Sequence, residues 1–396
     1  VLNDDGDFVG FDVVIGNPPY VFARENFDEH YKKYYNENFK GIDYQVNLYV
    51  LFAELTLNIL QPKGHYSLIV PNSLLMVSST SKVRKLLFSN ASIIEVVNFL
   101  GESFEGISVE TVAYFGVKGK MEENIKVSIG ENSLITFAHN KKTSTVLNSP
   151  DLVLNVFSDD ITDIFILKIK ENTSILDDLV EIKSGLKAYQ TGKGKPKQTP
   201  EIVKTRPFDY NYKFNDETYK YLEGKDVSRY EINWSGGFLH CGPHLAEPRT
   251  YLGEKIIIRE ITSNHPHSIL AAYTDEDFVF NLSNIVITEK EQVHISLKFI
   301  LALMNSKLMS YYFQLNTAKV VRKLFPKLIL RDLRHFPIKV ISDDDQDSYI
   351  KLVDDIMEAK KKNPSADTTA LEAEIDQLVY ELYGLSEEEI GIVENS

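Results

Sequence analysis

In "FDVVIGNPPYVF", Phe11 to Phe22, an apolar strand pattern runs straight into Asn17-Pro18-Pro19-Tyr20. Ordinary turns use a single Pro, with Gly or Asn chosen for backbone shape. Two consecutive prolines fix two φ angles and remove two N–H donors, while their carbonyls remain. With the Asn17 side-chain oxygen they make a rigid cluster of hydrogen-bond acceptors beside one flat ring, Tyr20. That is more than turning a corner requires. The other cluster with chemical possibilities is His240, Cys241 and His244. One Cys and two His with no clear fourth ligand do not make a zinc set, and no metal is expected.

The elements around the motif alternate in the βα manner. After the strand Phe11–Ile15, residues 43–61 read as a helix with Leu48, Leu51, Phe52, Leu55 and Ile59 on one face. Gln61-Pro62-Lys63-Gly64 stops it, and "HYSLIV" follows as a buried strand. A short helix around Ser81–Phe88 leads to "SIIEVVNFL" and "VETVAYFGV", which are expected to form an antiparallel hairpin at the edge of a mostly parallel sheet. From about Asn124 to Lys170 the pattern weakens and reads as the end of this domain plus a connector. Residues 174–340 then carry short β-rich runs broken by Gly, Pro, Asn and His, with one helical stretch at Leu297–Phe313. The end is helical: Leu371, Ile375, Leu378 and Leu382 form a stripe, Gly384 fits a C-cap, and Ser386 with Glu389 makes a capping box.

At 396 residues, two or three domains are expected. Composition is that of a soluble globular protein, with no apolar run near the roughly 20 residues of a membrane helix and no signal-peptide pattern. Cys241 is the only cysteine, which excludes an internal disulfide framework and makes a reducing cytoplasm the expected location. The first residue is Val1, and a polar linker precedes the first strand, so a fragment of a longer protein is expected. The net charge of −14 belongs mostly to residues 341–396, which hold 16 acidic and 4 basic side chains. Lys183 to Arg206 and Lys319 to Lys339 run the other way, each with seven Lys or Arg against one acid. Such local basic surface can hold phosphates whatever the global sum.

A strand ending in Asn-Pro-Pro-Tyr is the signature of S-adenosylmethionine-dependent amino-group methyltransferases, and "FDVVIGNPPY" resembles that family. "NLYVLFAELTLNILQPKGHYSLIVPNSLL" (Asn47–Leu75) is similar to the helix–turn–strand that follows in DNA adenine methyltransferases. "LEGKDVSRYEINW" with "GEKIIIREITSNHPHSILAAYTDEDFVFNLSNIVIT" resembles the TaqI-like C-terminal specificity domain of adenine-specific methyltransferases and fused type IIG restriction–modification enzymes. The resemblance implies a flipped adenine whose amine donates to the Asn17 side chain and the Pro18 carbonyl, with Pro19 holding the turn. Tyr20 would stack on the base. In "GESFEGISVETVAYFGV" Phe104 matches the family's second aromatic against the base, though an ordinary hydrophobic anchor is the competing reading. It implies an α/β fold, a partial doubly wound methyltransferase sheet over 1–165, then a mainly β (α+β) DNA-specificity domain over 166–340 and a helical tail over 341–396.

In that setting Lys183, Lys187, Lys193, Lys195 and Lys197, with Tyr189 interleaved, read as a flexible basic loop that orders on double-stranded DNA. Arg322 and Lys323 read in the same way; a basic segment edging the core is the alternative. Arg249 and Arg259 fit guanine edges and structural roles equally. The family's methyl-donor site lies on earlier strands with a Gly-rich turn, and "TGKGKP" has the wrong context for one. S-adenosylmethionine binding is therefore expected to need an N-terminal half in cis, with this chain inactive alone. Pro150-Asp151 and Glu181-Ile182-Lys183 match a nuclease pattern only by chance, and a nuclease would lie in the N-terminal region. A DNA-binding module without catalysis is the alternative function, and protein-glutamine or RNA methylation a third.

Overall fold

A computed structural model describes the chain apart from residues 21–27, 44–46, 100–109, 120, 132, 316–326 and 396. Two compact units divide it, Val1–Ile164 and Phe165–Ser396. In the first, β1 (Phe11–Gly16) runs parallel to β2 (Leu60–Pro71), with Val14 opposite Tyr66 and Gly16 opposite Leu68. The strands β3 (Ala91–Phe99) and β4 (Thr111–Lys118) are antiparallel to each other as expected. Their position differs from the expectation. β4 inserts between β2 and β3, and β5 (Asn124–Glu131) and β6 (Leu134–Lys142) extend the sheet beyond them. The order is β1-β2-β4-β3-β5-β6, with β1, β2, β3 and β5 running one way and β4 and β6 the other. The end of this domain is thus a hairpin of the same sheet, which the sequence pattern shows only weakly. Its exposed Leu134, Ile135 and Phe137 break the alternation by which a strand is recognised.

One face of this sheet is covered by helices. α1 (Leu48–Ile59) and α2 (Ser81–Asn90) bring Tyr49, Ala53, Leu57, Val83 and Leu87 into one core with Tyr66, Leu68, Val96, Val112 and Tyr114. The stripe expected for α1 is buried only in part: Leu51 is 4% exposed, but Phe52 and Leu55 are 42% and 40% exposed. That helix is apolar on two sides, and periodicity cannot say which side meets the sheet. On the sheet's other face Val13 and Ile15 are 53% and 78% exposed. Strand β1, whose neighbour among the described residues is β2 alone, therefore offers apolar side chains and a free edge.

The second unit holds two four-stranded sheets. One comprises β7 (Val180–Ser184), β11 (Lys255–Arg259), β12 (Ala271–Thr274) and β14 (Asn284–Glu289), in the order β12-β11-β14-β7. The other comprises β8 (Asp209–Tyr210), β9 (Thr218–Leu222), β10 (Phe238–His240) and β13 (Phe278–Phe280), in the order β13-β9-β10-β8. Ile256, Ile257 and Ile258 are all fully buried because the first sheet is covered on both faces. A continuous apolar run is what such a strand requires. The helical stretch 297–313 is two helices, α3 (Leu297–Asn305) and α4 (Lys307–Leu315). Ser306, extended at ψ 154°, breaks them apart.

The tail helices α5 (Asp343–Lys362), α6 (Thr369–Leu382) and α7 (Glu387–Asn395) share the first sheet's core through Val353, Ile356, Ile375, Val379 and Val393. Gly384 has φ 66°, the left-handed turn that ends α6. The capping box closes as expected: Ser386 N–H donates to the Glu389 carboxylate at 2.7 Å, and Glu389 N–H to the Ser386 hydroxyl at 3.3 Å.

Candidate functional site

The Asn-Pro-Pro-Tyr turn leaves the carboxyl end of β1, where β2 runs beside it. Pro18 is buried, Asn17 and Pro19 are exposed, and Tyr20 is half-buried. The Tyr20 hydroxyl donates to the Ile69 carbonyl on β2 at 3.0 Å, and its ring meets Tyr49 edge-on at 6.4 Å. Burial pushes the phenol pKa up, so it stays a donor. Among the described residues no hydrogen bond engages the Asn17 side chain. The motif thus presents a free amide oxygen and a ring locked from behind. Phe104 lies outside the described residues.

Two neighbours that sequence reasoning passed over hold this corner. Asn72, at the end of β2, donates its side-chain N–H to Glu110 at 2.9 Å and its backbone N–H to the Glu110 carbonyl at 3.0 Å. Arg84 on α2 is fully buried. Its guanidinium donates to the Asp151, Leu74 and Val77 carbonyls and to the Thr80 hydroxyl, at 2.7–3.0 Å. An arginine in the helix pattern "SKVRKLLF" carries no sequence signal of burial.

The basic residues of the second unit are arranged less simply. Lys183 lies on β7 and pairs with Glu181. Lys187 is half-buried, while Lys193, Lys195 and Lys197 are exposed. The loop that carries them is ordered rather than slack. Gln198, 3% exposed, accepts from the Gln190 N–H and donates to the Ala188 and His244 carbonyls, each at 2.8 Å. A Cβ at Gly194, where φ is 82°, would run into the His244 carbonyl. Tyr189 is also engaged: its hydroxyl donates to Asp209 at 2.9 Å and accepts from the Phe208 N–H at 2.9 Å. Its ring stacks on Phe208 at 5.4 Å. Tyr189 braces the loop. Arg322 and Lys323 lie outside the described residues.

Arg249 donates to the Ser184 hydroxyl at 2.8 Å and faces Glu247 at 3.6 Å. Cys241 is buried with its thiol on the Leu239 carbonyl, and desolvation raises its pKa to about 12.

The comparisons with known proteins agree with this arrangement. Residues 2–104 match the Eco57I restriction-modification methylase family, and residues 219–338 match the TaqI-like C-terminal specificity domain. A protein of Methanocaldococcus jannaschii, named as a candidate type II restriction enzyme and methyltransferase, is 25% identical over 94% of this chain and 31% of its own length. The type II restriction enzyme and methyltransferase RM.Eco57I of Escherichia coli is 33% identical over 22% of this chain and 9% of its own length. The chain therefore spans less than a third of the length of either relative. The fold is similar to that of the type IIL restriction-modification enzyme MmeI, solved in complex with DNA. That likeness has a TM-score of 0.53 at 10% identity and covers 94% of this chain and 54% of the other. The chain thus resembles a restriction-modification methylase over 2–104 and a TaqI-like specificity domain over 219–338, the two parts that its type II restriction enzyme and methyltransferase relatives combine.

Proposed function

We propose that this chain supplies the acceptor side and the sequence-reading side of an S-adenosylmethionine-dependent DNA adenine-N6 methyltransferase. The observation that carries the proposal is the Asn17–Tyr20 turn, with its unbonded Asn17 amide beside a Tyr20 ring tied to the Ile69 carbonyl. An exocyclic amine conjugated to a ring is a poor nucleophile because its lone pair is delocalised. Donation of its two N–H groups to the Asn17 oxygen and the Pro18 carbonyl biases the nitrogen toward a tetrahedral shape. Tyr20 stacks on the flipped base, and Phe104 is assigned the same role. Lys183, Lys187, Lys193, Lys195 and Lys197 contact the phosphates of double-stranded DNA, and Arg322 and Lys323 are assigned with them. The functional segments are 1–165, 166–340 and 341–396.

S-adenosylmethionine supplies the electrophilic methyl group. The described residues fit the acceptor side but not a donor pocket: no Gly-rich turn follows a strand, and the Val13/Ile15 face of β1 lies uncovered. We assign the donor pocket to a further methyltransferase segment in cis that covers this face, and any nuclease to that same region. On this reading the chain alone is inactive.

The test uses the full-length gene product, labelled S-adenosylmethionine and mixed-sequence duplex DNA, digested to nucleosides and analysed by mass. N6-methyladenine is expected, and Asn17→Ala should reduce it by about 10²–10³, the usual effect of removing one preorganised hydrogen-bond partner. No methylated base, with salt-sensitive DNA binding intact, would leave a DNA-binding module in place of the enzyme.

A further inference from the structure

In the second unit a series of rings is stacked side by side. Phe208 meets His244 at 4.3 Å, His244 stacks on His240 at 4.7 Å, and His240 meets Phe214 at 5.3 Å. Phe214 in turn packs against Tyr210 at 4.7 Å and Tyr212 at 6.1 Å. The inner end is closed, since Arg206 covers Tyr189 at 4.9 Å and Tyr189 stacks on Phe208. The outer end is open: Tyr212 is 57% and Phe214 44% exposed. Lys213 lies between the two rings in sequence, and the loop whose Gly194 packs on the His244 carbonyl carries Lys193, Lys195 and Lys197; these and Lys204 are exposed and make no ion pair among the described residues. From 189 to 217 the acids are Glu201, Asp209, Asp216 and Glu217; Asp209 is held by Arg206 at 2.6 Å and Glu217 faces His240 at 3.3 Å.

Two exposed rings with rigid backing, in a unit whose neighbouring loop carries unpaired lysines, match what a nucleic-acid strand requires. Each ring is already ordered by its neighbours, so little rotamer entropy remains to be lost on stacking. The lysines give the field that attracts a phosphate chain. We infer that the Tyr212–Phe214 end is a stacking platform for unpaired DNA bases, such as a strand exposes where its duplex is locally opened. This rests on the DNA-binding reading and adds to it a chemical preference for opened strands and two residues, Tyr212 and Phe214, outside the basic loop.

Binding of the whole 396-residue chain to a labelled mixed-sequence single strand, and to its duplex, is measured across a salt series. Tyr212→Ala with Phe214→Ala should weaken single-strand binding about thirtyfold at every salt concentration, leaving the slope of log K against log salt unchanged. Lys193→Ala, Lys195→Ala and Lys197→Ala together should instead reduce that slope by about 2. Tyr212→Phe with Phe214→Trp should keep wild-type affinity, which separates stacking from a folding defect. Wild-type affinity in the double alanine variant would overturn the platform and leave DNA binding standing. Absence of salt-sensitive binding in the wild type would remove both readings. Self-association of the wild type that the double alanine variant abolishes would make a second copy of the chain the occupant and overturn the proposal.

Discussion

Replacing Gln198 by Leu tests whether the basic loop is built before it meets a ligand. Leu has nearly the same volume but makes none of the three 2.8 Å hydrogen bonds that join Gln190, Ala188 and His244 through this side chain. Each buried partner left unmet costs roughly 1–3 kcal/mol. Some of these groups regain water when the loop opens, so a net loss of about 3 kcal/mol is expected for the closed loop. The cost falls locally because the loop's own backbone bonds run through the same residue: Gly192 N–H donates to the Gln198 carbonyl at 2.9 Å, and Gln198 N–H to the Lys193 carbonyl at 2.7 Å. Native-state hydrogen exchange should therefore speed up about 100-fold at the Gly192, Lys195 and Gln198 amides, with Ile257 in the core unchanged. DNA affinity should fall by about tenfold or more, because ordering the loop becomes part of binding. Unaltered exchange at those amides in a folded variant would refute the claim that Gln198 holds the loop.

Three further outcomes follow from the same structure. Tyr20→Phe, which removes the bond to the Ile69 carbonyl, should lower stability by about 1 kcal/mol in urea unfolding, while Tyr20→Ala also removes the ring and, in the full-length gene product, should reduce methyl transfer more than Tyr20→Phe does. Arg84→Met strands the carbonyls of Leu74, Val77 and Asp151, and should cost about 3–5 kcal/mol; Arg84→Lys should not restore it, since one ammonium cannot span both sides. Acid sensitivity should trace partly to His267, whose pKa falls to about 3 through burial and the nearby cations Arg229 and Lys307. The unfolded chain takes up this proton below about pH 6.5 and the folded chain does not, so stability drops as pH falls from there toward 3. Asp376 opposes this, because burial raises its pKa to about 6 and folding gains from its protonation between about pH 6 and 4. His267→Gln should therefore flatten the acid side of a pH–stability curve by roughly 2 kcal/mol, and Asp376→Asn should steepen it; identical curves for both variants would exclude these two groups.

Much of this protein is decided by local sequence. Asn17-Pro18-Pro19-Tyr20 behind an apolar strand states its own geometry, because proline dihedrals and a strand's end need no distant partner. The Gly384 turn and the Ser386–Glu389 box are equally local, closing within a few residues. Tertiary structure decided what depends on coverage. It chose Tyr49, Ala53 and Leu57 over Phe52 and Leu55 as the buried side of α1. It also put β4 inside the sheet and added β5 and β6, since strand order follows from pairing across long separations. It turned Tyr189 from a free ring into a brace, buried Arg84 among carbonyls, and set Gln198 at the centre of a loop that composition alone marks as basic and glycine-rich. Residue types state what a side chain can bond. Only the folded chain brings the Ile69 carbonyl to Tyr20 or the His244 carbonyl to Gln198, because those partners lie 49 and 46 residues away.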